Sequence, residues 1–143
     1  MSEGAPSFIL IDTLFDSLYN PIETEAICPT PQSIMKGKVY IAGPYTDGDT
    51  AVNVRKAFEI ANELADNGFA PFVPHYTHFW HMLFPRPKEF WLKLDREYLK
   101  SCDCVFRIEG NSKGADEEEK FARALGIPVF YCVEEVIEHF KER

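Results

Sequence analysis

The feature that most limits the fold is an alternation of short apolar runs with helical patterns, repeated from Lys38 onward. Val39-Tyr40-Ile41-Ala42 is apolar, too short for a helix and stopped by Gly43-Pro44, so it reads as a buried strand. Asp49 or Thr50 can cap a helix that runs to about Asn67 and stops at Gly68. Val54, Ala57, Phe58, Ala61, Leu64 and Ala65 share one face of it. Residues 69–73 read as a second strand closed by Pro74, and His75 to Pro87 as a long aromatic connection. The pattern then predicts a helix over 88–100, a strand over 102–108, a helix over 113–125, a strand over 127–131 and a closing helix over 134–141. Strand–helix units in series imply parallel strands joined by right-handed crossovers. The expected fold is therefore α/β, a Rossmann-like (flavodoxin-like) parallel sheet of four to five strands with helices on both faces.

Residues 1–37 follow a different grammar and form an N-terminal extension to the domain at 38–143. Phe8, Ile11, Phe15 and Leu18 recur at helical spacing, although Phe8–Ile11 is also good strand material and would then supply a fifth strand. Pro21, Pro29 and Pro31 mark the linker that follows. Asp12 and Asp16 interrupt the apolar run from Phe8 to Leu18, so it is no membrane span. The opening Met-Ser-Glu-Gly lacks the basic start of a signal peptide, and a cytoplasmic location is the expectation. Cys28, Cys102, Cys104 and Cys132 form no C-x-x-C pair and read as buried thiols. A net charge of −8 argues against binding a nucleic acid polymer or an anionic membrane. It leaves room for a small anion at a helix start.

In parallel sheets, sites form beyond the carboxyl ends of the strands, here at residues 43–47, 74–81 and 109–118. Gly43 lets backbone approach a ligand, yet Gly43 to Gly48 is neither a dinucleotide fingerprint nor a P-loop, and a plain strand-to-helix turn reads as well. Gly114 and Ala115 would let a substrate sit against the start of the helix that follows Ser112. Glu117, Glu118 and Glu119 all suit the positive end of that helix. Glu118 differs from the other two, because Phe121, Ala122 and Leu125 follow it at same-face spacings and direct it toward the sheet. An inward carboxylate at the ligand end of a sheet must be used or paired. Asp95 shares a face with Leu92 and Leu99, and the competing reading is a surface pair with Lys93 or Lys100. Asp103 reads equally well as a solvated turn residue. His75, His78 and His81 could share a helix face, but no acidic or cysteine ligand joins them, and no metal or other cofactor is expected. Their aromatic neighbours Phe79, Trp80 and Phe84 suit a lid over a flat ligand, or simply a core.

Together these segments resemble the nucleoside 2-deoxyribosyltransferase superfamily, which includes deoxynucleoside 5′-monophosphate N-glycosidases and small uncharacterised relatives. The likeness covers about residues 38–131. It is carried by Val-Tyr-Ile-Ala-Gly-Pro-Tyr at 39–45, by Asp95, Leu99 and Cys102-Asp103, and by Ser112-x-Gly114, Glu118, Ala122, Gly126 and Pro128. The resemblance implies that Glu118 is a nucleophile toward the anomeric carbon and that Asp95 binds the base and assists its departure. It further implies that Tyr45 orients the nucleophile, that Ser112 meets a 5′-phosphate, and that Gly43, Gly114 and His75 belong to the substrate pocket. A small-molecule nucleoside or nucleotide substrate and a homodimer or larger assembly follow from the same likeness. After Gly43 the chain reads Tyr-Thr-Asp-Gly-Asp, which departs from the serine- and arginine-rich loop of the monophosphate hydrolases. A binding module without turnover is the alternative. A phosphoribohydrolase of the cytokinin-activating type ranks last, since Ser112–Glu118 has a single glycine where that group uses a glycine-rich signature.

Overall fold

The computed structural model describes residues 35–141, and the expectations for the N-terminal extension before Met35 lie outside them. The described residues form β1 (Lys38–Ala42), α1 (Thr50–Asp66), β2 (Ala70–Phe72), a 3-10 turn (Pro74–Tyr76), α2 (Thr77–Leu83), α3 (Lys88–Lys100), β3 (Cys104–Arg107), α4 (Lys113–Ala124), β4 (Val129–Phe130) and α5 (Val133–Lys141). All three strand pairings are parallel, in the order β2-β1-β3-β4. The chain builds outward from β1 to β2, then crosses back to place β3 on the other side of β1. That reversal makes the carboxyl ends of β1 and β3 the switch point of the sheet, the place where open α/β folds put their ligands.

Val39 to Ala42 are fully buried, as expected of a central parallel strand covered on both sides. Their side chains alternate. Val39 and Ile41 join Cys104 and Phe106 of β3 beneath Ala57, Ala61 and Leu64 of α1 and Val133 and Val136 of α5. Tyr40 and Ala42 join Val105 beneath Leu99 of α3 and Ala115 and Ala122 of α4. Helices therefore cover both faces, α1 and α5 on one and α3 and α4 on the other. Asp49 caps α1 with its carboxylate, accepting from the amides of Ala51 and Val52 at 2.9 and 3.2 Å. Asp103 is more than a turn residue, because its carboxylate accepts the Lys38 amide at 2.8 Å and anchors the start of β1.

Several local expectations are corrected. The aromatic connection is largely helical: its first residues form the 3-10 turn and Thr77–Leu83 form α2. No strong apolar periodicity marks α2, and its residues are all at least partly exposed. Phe58 is exposed, because the buried stripe of α1 is narrowed to Ala57, Ala61 and Leu64. Leu125 is exposed at the C-terminal cap of α4, where the helix no longer faces the sheet. Of the described cysteines only Cys104 is a fully buried strand thiol, while Cys102 and Cys132 lie half-buried outside the strands. No helix among the described residues is long and apolar enough to cross a membrane.

Candidate active site

The N-terminus of α4 is shaped by Ser112, whose hydroxyl accepts the Ala115 amide at 3.2 Å. Ala115 and Ala122 are buried against the sheet, and Glu118 lies between them at spacings of three and four. It therefore points inward at the carboxyl end of β1. The hydroxyl of Tyr40, itself fully buried, donates to Glu118 Oε1 at 2.7 Å. Burial pushes the Glu118 carboxyl up to about 8. The Tyr40 hydrogen bond opposes that shift, the negative charge of Asp95 adds to it, and the cations Arg107 and Arg96 oppose it further.

Asp95 is brought to the same place from α3. It is 9% exposed, one turn before the fully buried Leu99, and its Oδ1 has no hydrogen-bond partner. The surface pair with Lys100 does not form, since that ammonium meets Glu97 at 2.8 Å. Burial raises the Asp95 carboxyl to about 7. The charges of both Glu118 and Asp95 raise the Tyr40 phenol, after the larger effect of burial. An orphaned buried carboxyl oxygen is expensive in a folded chain unless a ligand completes it.

Aromatic rings line this pair of carboxyls. Phe72 stacks on Tyr40 with centroids 5.7 Å apart and on Tyr98 at 4.3 Å, and Tyr76 meets Phe72 edge-on at 5.6 Å. Tyr76 and Tyr98 remain partly open to solvent, and the charge of Asp95 contributes to raising the Tyr76 phenol. The rings of the aromatic connection are exposed rather than core, and a second aromatic group lies closer to the carboxyls. The rings near the carboxyls come from β1, β2, the 3-10 turn and α3, while Phe79 and Phe84 are exposed and Trp80 packs against Trp91 at 5.2 Å.

The remaining expected site residues divide. The Tyr45 hydroxyl meets Nδ1 of His78, so the hydroxyl that holds Glu118 belongs to Tyr40 instead. His75 is buried near the same loop and its Nε2–H donates to the Pro44 carbonyl at 2.9 Å, which leaves Nδ1 without a partner. Burial lowers the His75 imidazole below its ordinary value, consistent with a neutral ring. Gly43 is required by packing, because a Cβ there would lie 2.8 Å from Ile108 Cδ1. At Gly114 an added Cβ would meet only Ser112 Oγ, at 4.0 Å, leaving room beside the helix start. The three histidines do not converge: His75 bonds Pro44, His78 meets Tyr45, and His81 Nδ1 accepts the Trp91 indole N–H at 2.9 Å. Among the described residues no group of three metal-ligating side chains is present.

Two residues of this site were hidden in the sequence. Tyr40 sits inside an apolar run and reads as core. Arg107 ends β3 on the face of α4, with its side chain 7% exposed. Its guanidinium donates to the Ile108 carbonyl, to Gly110 O at 3.0 Å and to Asp116 Oδ1 at 2.7 Å. Glu119 Oε2 lies 3.8 Å away and completes the shell. Gly110 has φ +131° and its Cα faces Pro44, so the loops that follow β1 and β3 touch here. A charged residue inside a strand buried on both faces is the signal that would have found Arg107.

A family model described as a domain of unknown function (DUF7768) matches residues 37–132. A solved structure of a 2-deoxyribosyltransferase from the psychrotolerant bacterium Bacillus psychrosaccharolyticus is 26% identical, with a TM-score of 0.49. The likeness covers 64% of this chain and 69% of that one, and a TM-score of that size carries no functional argument. No curated protein matches the chain.

Proposed function

We propose that the chain, which belongs to the DUF7768 family, cleaves or exchanges the N-glycosidic bond of a (deoxy)nucleoside or its 5′-monophosphate. The observation that carries this reading is the pairing of Glu118, bonded to Tyr40, with the unpartnered Asp95 among stacked aromatic rings. Two carboxyls with separate surroundings can divide the work of a nucleophile and an acid, and aromatic rings accept a flat base. The resemblance of the sequence blocks to deoxyribosyltransferases points the same way.

In the reaction so read, the Glu118 carboxylate attacks the anomeric carbon. The bond to the base breaks with its electron pair on the departing nitrogen, which takes a proton from Asp95. Positive character on the sugar is stabilised by the carboxylate, and the covalent ester divides one hard displacement into two. Water then attacks the same carbon, frees Glu118 and returns a proton to Asp95; a second base in place of water completes an exchange. The Tyr40 hydroxyl favours the ionised form of Glu118 by donating to it.

One observation favours the alternative of a silent binding module. Burial disfavours the ionised Glu118 carboxylate that a nucleophile requires. Incubation with a panel of nucleosides and 5′-monophosphates, with free base measured by chromatography, separates the two. Base release supports the enzyme, and saturable binding without release supports the module. An assembly of at least two copies is part of the same proposal, supported by the exposed apolar run Phe79, Met82, Leu83 and Phe84. Light scattering at the mass of one chain would contradict it.

A further inference from the structure

We propose that Arg107 is a positioning residue for Glu118: its buried guanidinium straps the loop after β3 to the first turns of α4 and holds a fixed positive charge near that carboxyl. Three groups from separate parts of the loop and helix share the one side chain, namely the carbonyls of Ile108 and Gly110 and the carboxylate of Asp116. Glu119 stands against the same guanidinium at 3.8 Å and is itself held by Arg123 at 3.0 Å and by the Tyr131 hydroxyl at 2.6 Å. The strap is therefore continuous from the end of β3, through α4, to Tyr131 just past β4.

Glu118 lies on α4 between Asp116 and Glu119, the two acids that meet Arg107, but its side chain turns the other way, toward β1. Its placement against Tyr40 depends on where the first two turns of α4 sit. A planar five-donor fork can hold two carbonyls and a carboxylate at once, whereas a lysine offers one compact ammonium. The charged and titratable groups that face Glu118 are Tyr40 from β1, Asp95 and Arg96 from α3, and Arg107 from β3. Arg96 is exposed and rests over the Phe121 ring at 5.4 Å, so of the two cations only Arg107 is locked in place by buried hydrogen bonds.

This inference rests on the proposed role of Glu118 only for its catalytic consequence, and its test needs no substrate. The Glu118 carboxyl is followed by carbon-13 NMR as pH is raised, its signal assigned with Glu118→Gln, in the full chain and in Arg107→Met, Arg107→Lys, Lys120→Met and Leu64→Ala. Removing the charge and the fork in Arg107→Met should raise the midpoint by about one pH unit. Arg107→Lys should raise it by less, because charge survives and the strap does not. Lys120→Met, an exposed cation of the same helix with no part in the strap, and Leu64→Ala, a packing lesion on the other face, should leave it where it is. Should Arg107→Met fail to fold, the Arg107→Lys midpoint decides alone. An unmoved midpoint in the folded Arg107 variants, or an equal shift in Leu64→Ala, overturns the inference. A shifted midpoint in a chain that releases no base would uphold the strap and refute the glycosidic reading, so the two fail separately.

Discussion

The two faces of the sheet are built from the same four strands and do opposite things. On the side of α1 and α5, strand residues Val39, Ile41, Cys104 and Phe106 pack into one cluster of apolar side chains. On the side of α3 and α4, Tyr40 and Arg107 alternate with Ala42 and Val105, and two acidic side chains reach in from the helices. One face is built mainly on apolar burial. The other gives up part of that stabilisation to hold carboxyls whose ionised forms the interior disfavours. Functional sites commonly carry such a local cost, because the surrounding core can offset it. Substitutions on the two faces should therefore separate stability from activity.

The sharpest separation is expected at Glu118. Glu118→Ala should reduce base release by at least ~10³-fold, since nothing else on this face offers a nucleophile in its position. Its thermal transition should be no lower than the parent's at pH 8. Activity within tenfold of the parent would remove the distinction between the faces. The converse lesion is Leu64→Ala on the α1 side. A fully buried leucine there should cost about 3 kcal/mol by denaturant unfolding while activity per folded molecule is unchanged.

Next comes Asp95→Asn, which keeps the shape and removes the proton donor. Release of the base should slow by about 10²-fold, measured as the single-turnover rate, with a smaller change in substrate affinity. An unchanged rate would return Asp95 to the role of an unused buried acid.

The smallest expected effect is a pH dependence of stability. Burial raises both carboxyls, Asp95 to about 7 and Glu118 to about 8, so the folded chain binds their protons more tightly than the unfolded chain. Stability from these groups is full below the ordinary carboxylate range near 4 and is lost as pH rises toward 7 and 8. Glu118→Gln should lose less stability over that window than the parent, by on the order of 2 kcal/mol in urea unfolding at pH 5 and pH 8. Parallel losses in both proteins would show that Glu118 titrates as though exposed.

The contrast between the faces also explains what was legible in the sequence. Helices announce their faces through spacing, so the inward turns of Glu118 and Asp95 could be read from Ala122 and Leu99 nearby. Strands buried on both sides read as unbroken apolar runs, and such a run does not say which residues face which helices. Tyr40 was hidden for that reason, and the orienting role went to Tyr45, which lies in the loop and meets His78 instead. Arg107 was hidden because its partners are two backbone carbonyls and two acids of α4, joined only by the fold. The Ser112 hydroxyl accepts the Ala115 amide as the cap of α4 and keeps its O–H proton for a further acceptor. The order of strands follows from no single segment, since it is set by which crossover packs on which face.

If Glu118 attacks the anomeric carbon as proposed, acid-quenched reactions analysed by peptide mass spectrometry should trap the covalent ester. With a nucleoside or nucleotide that the chain turns over, the peptide from Gly114 to Lys120 should gain the mass of the sugar, located on Glu118 by fragmentation. The gain should vanish in Glu118→Ala and grow when the second acceptor is withheld. Base release at the parent's rate by Glu118→Ala, or a sugar attached to a different residue, would contradict the account.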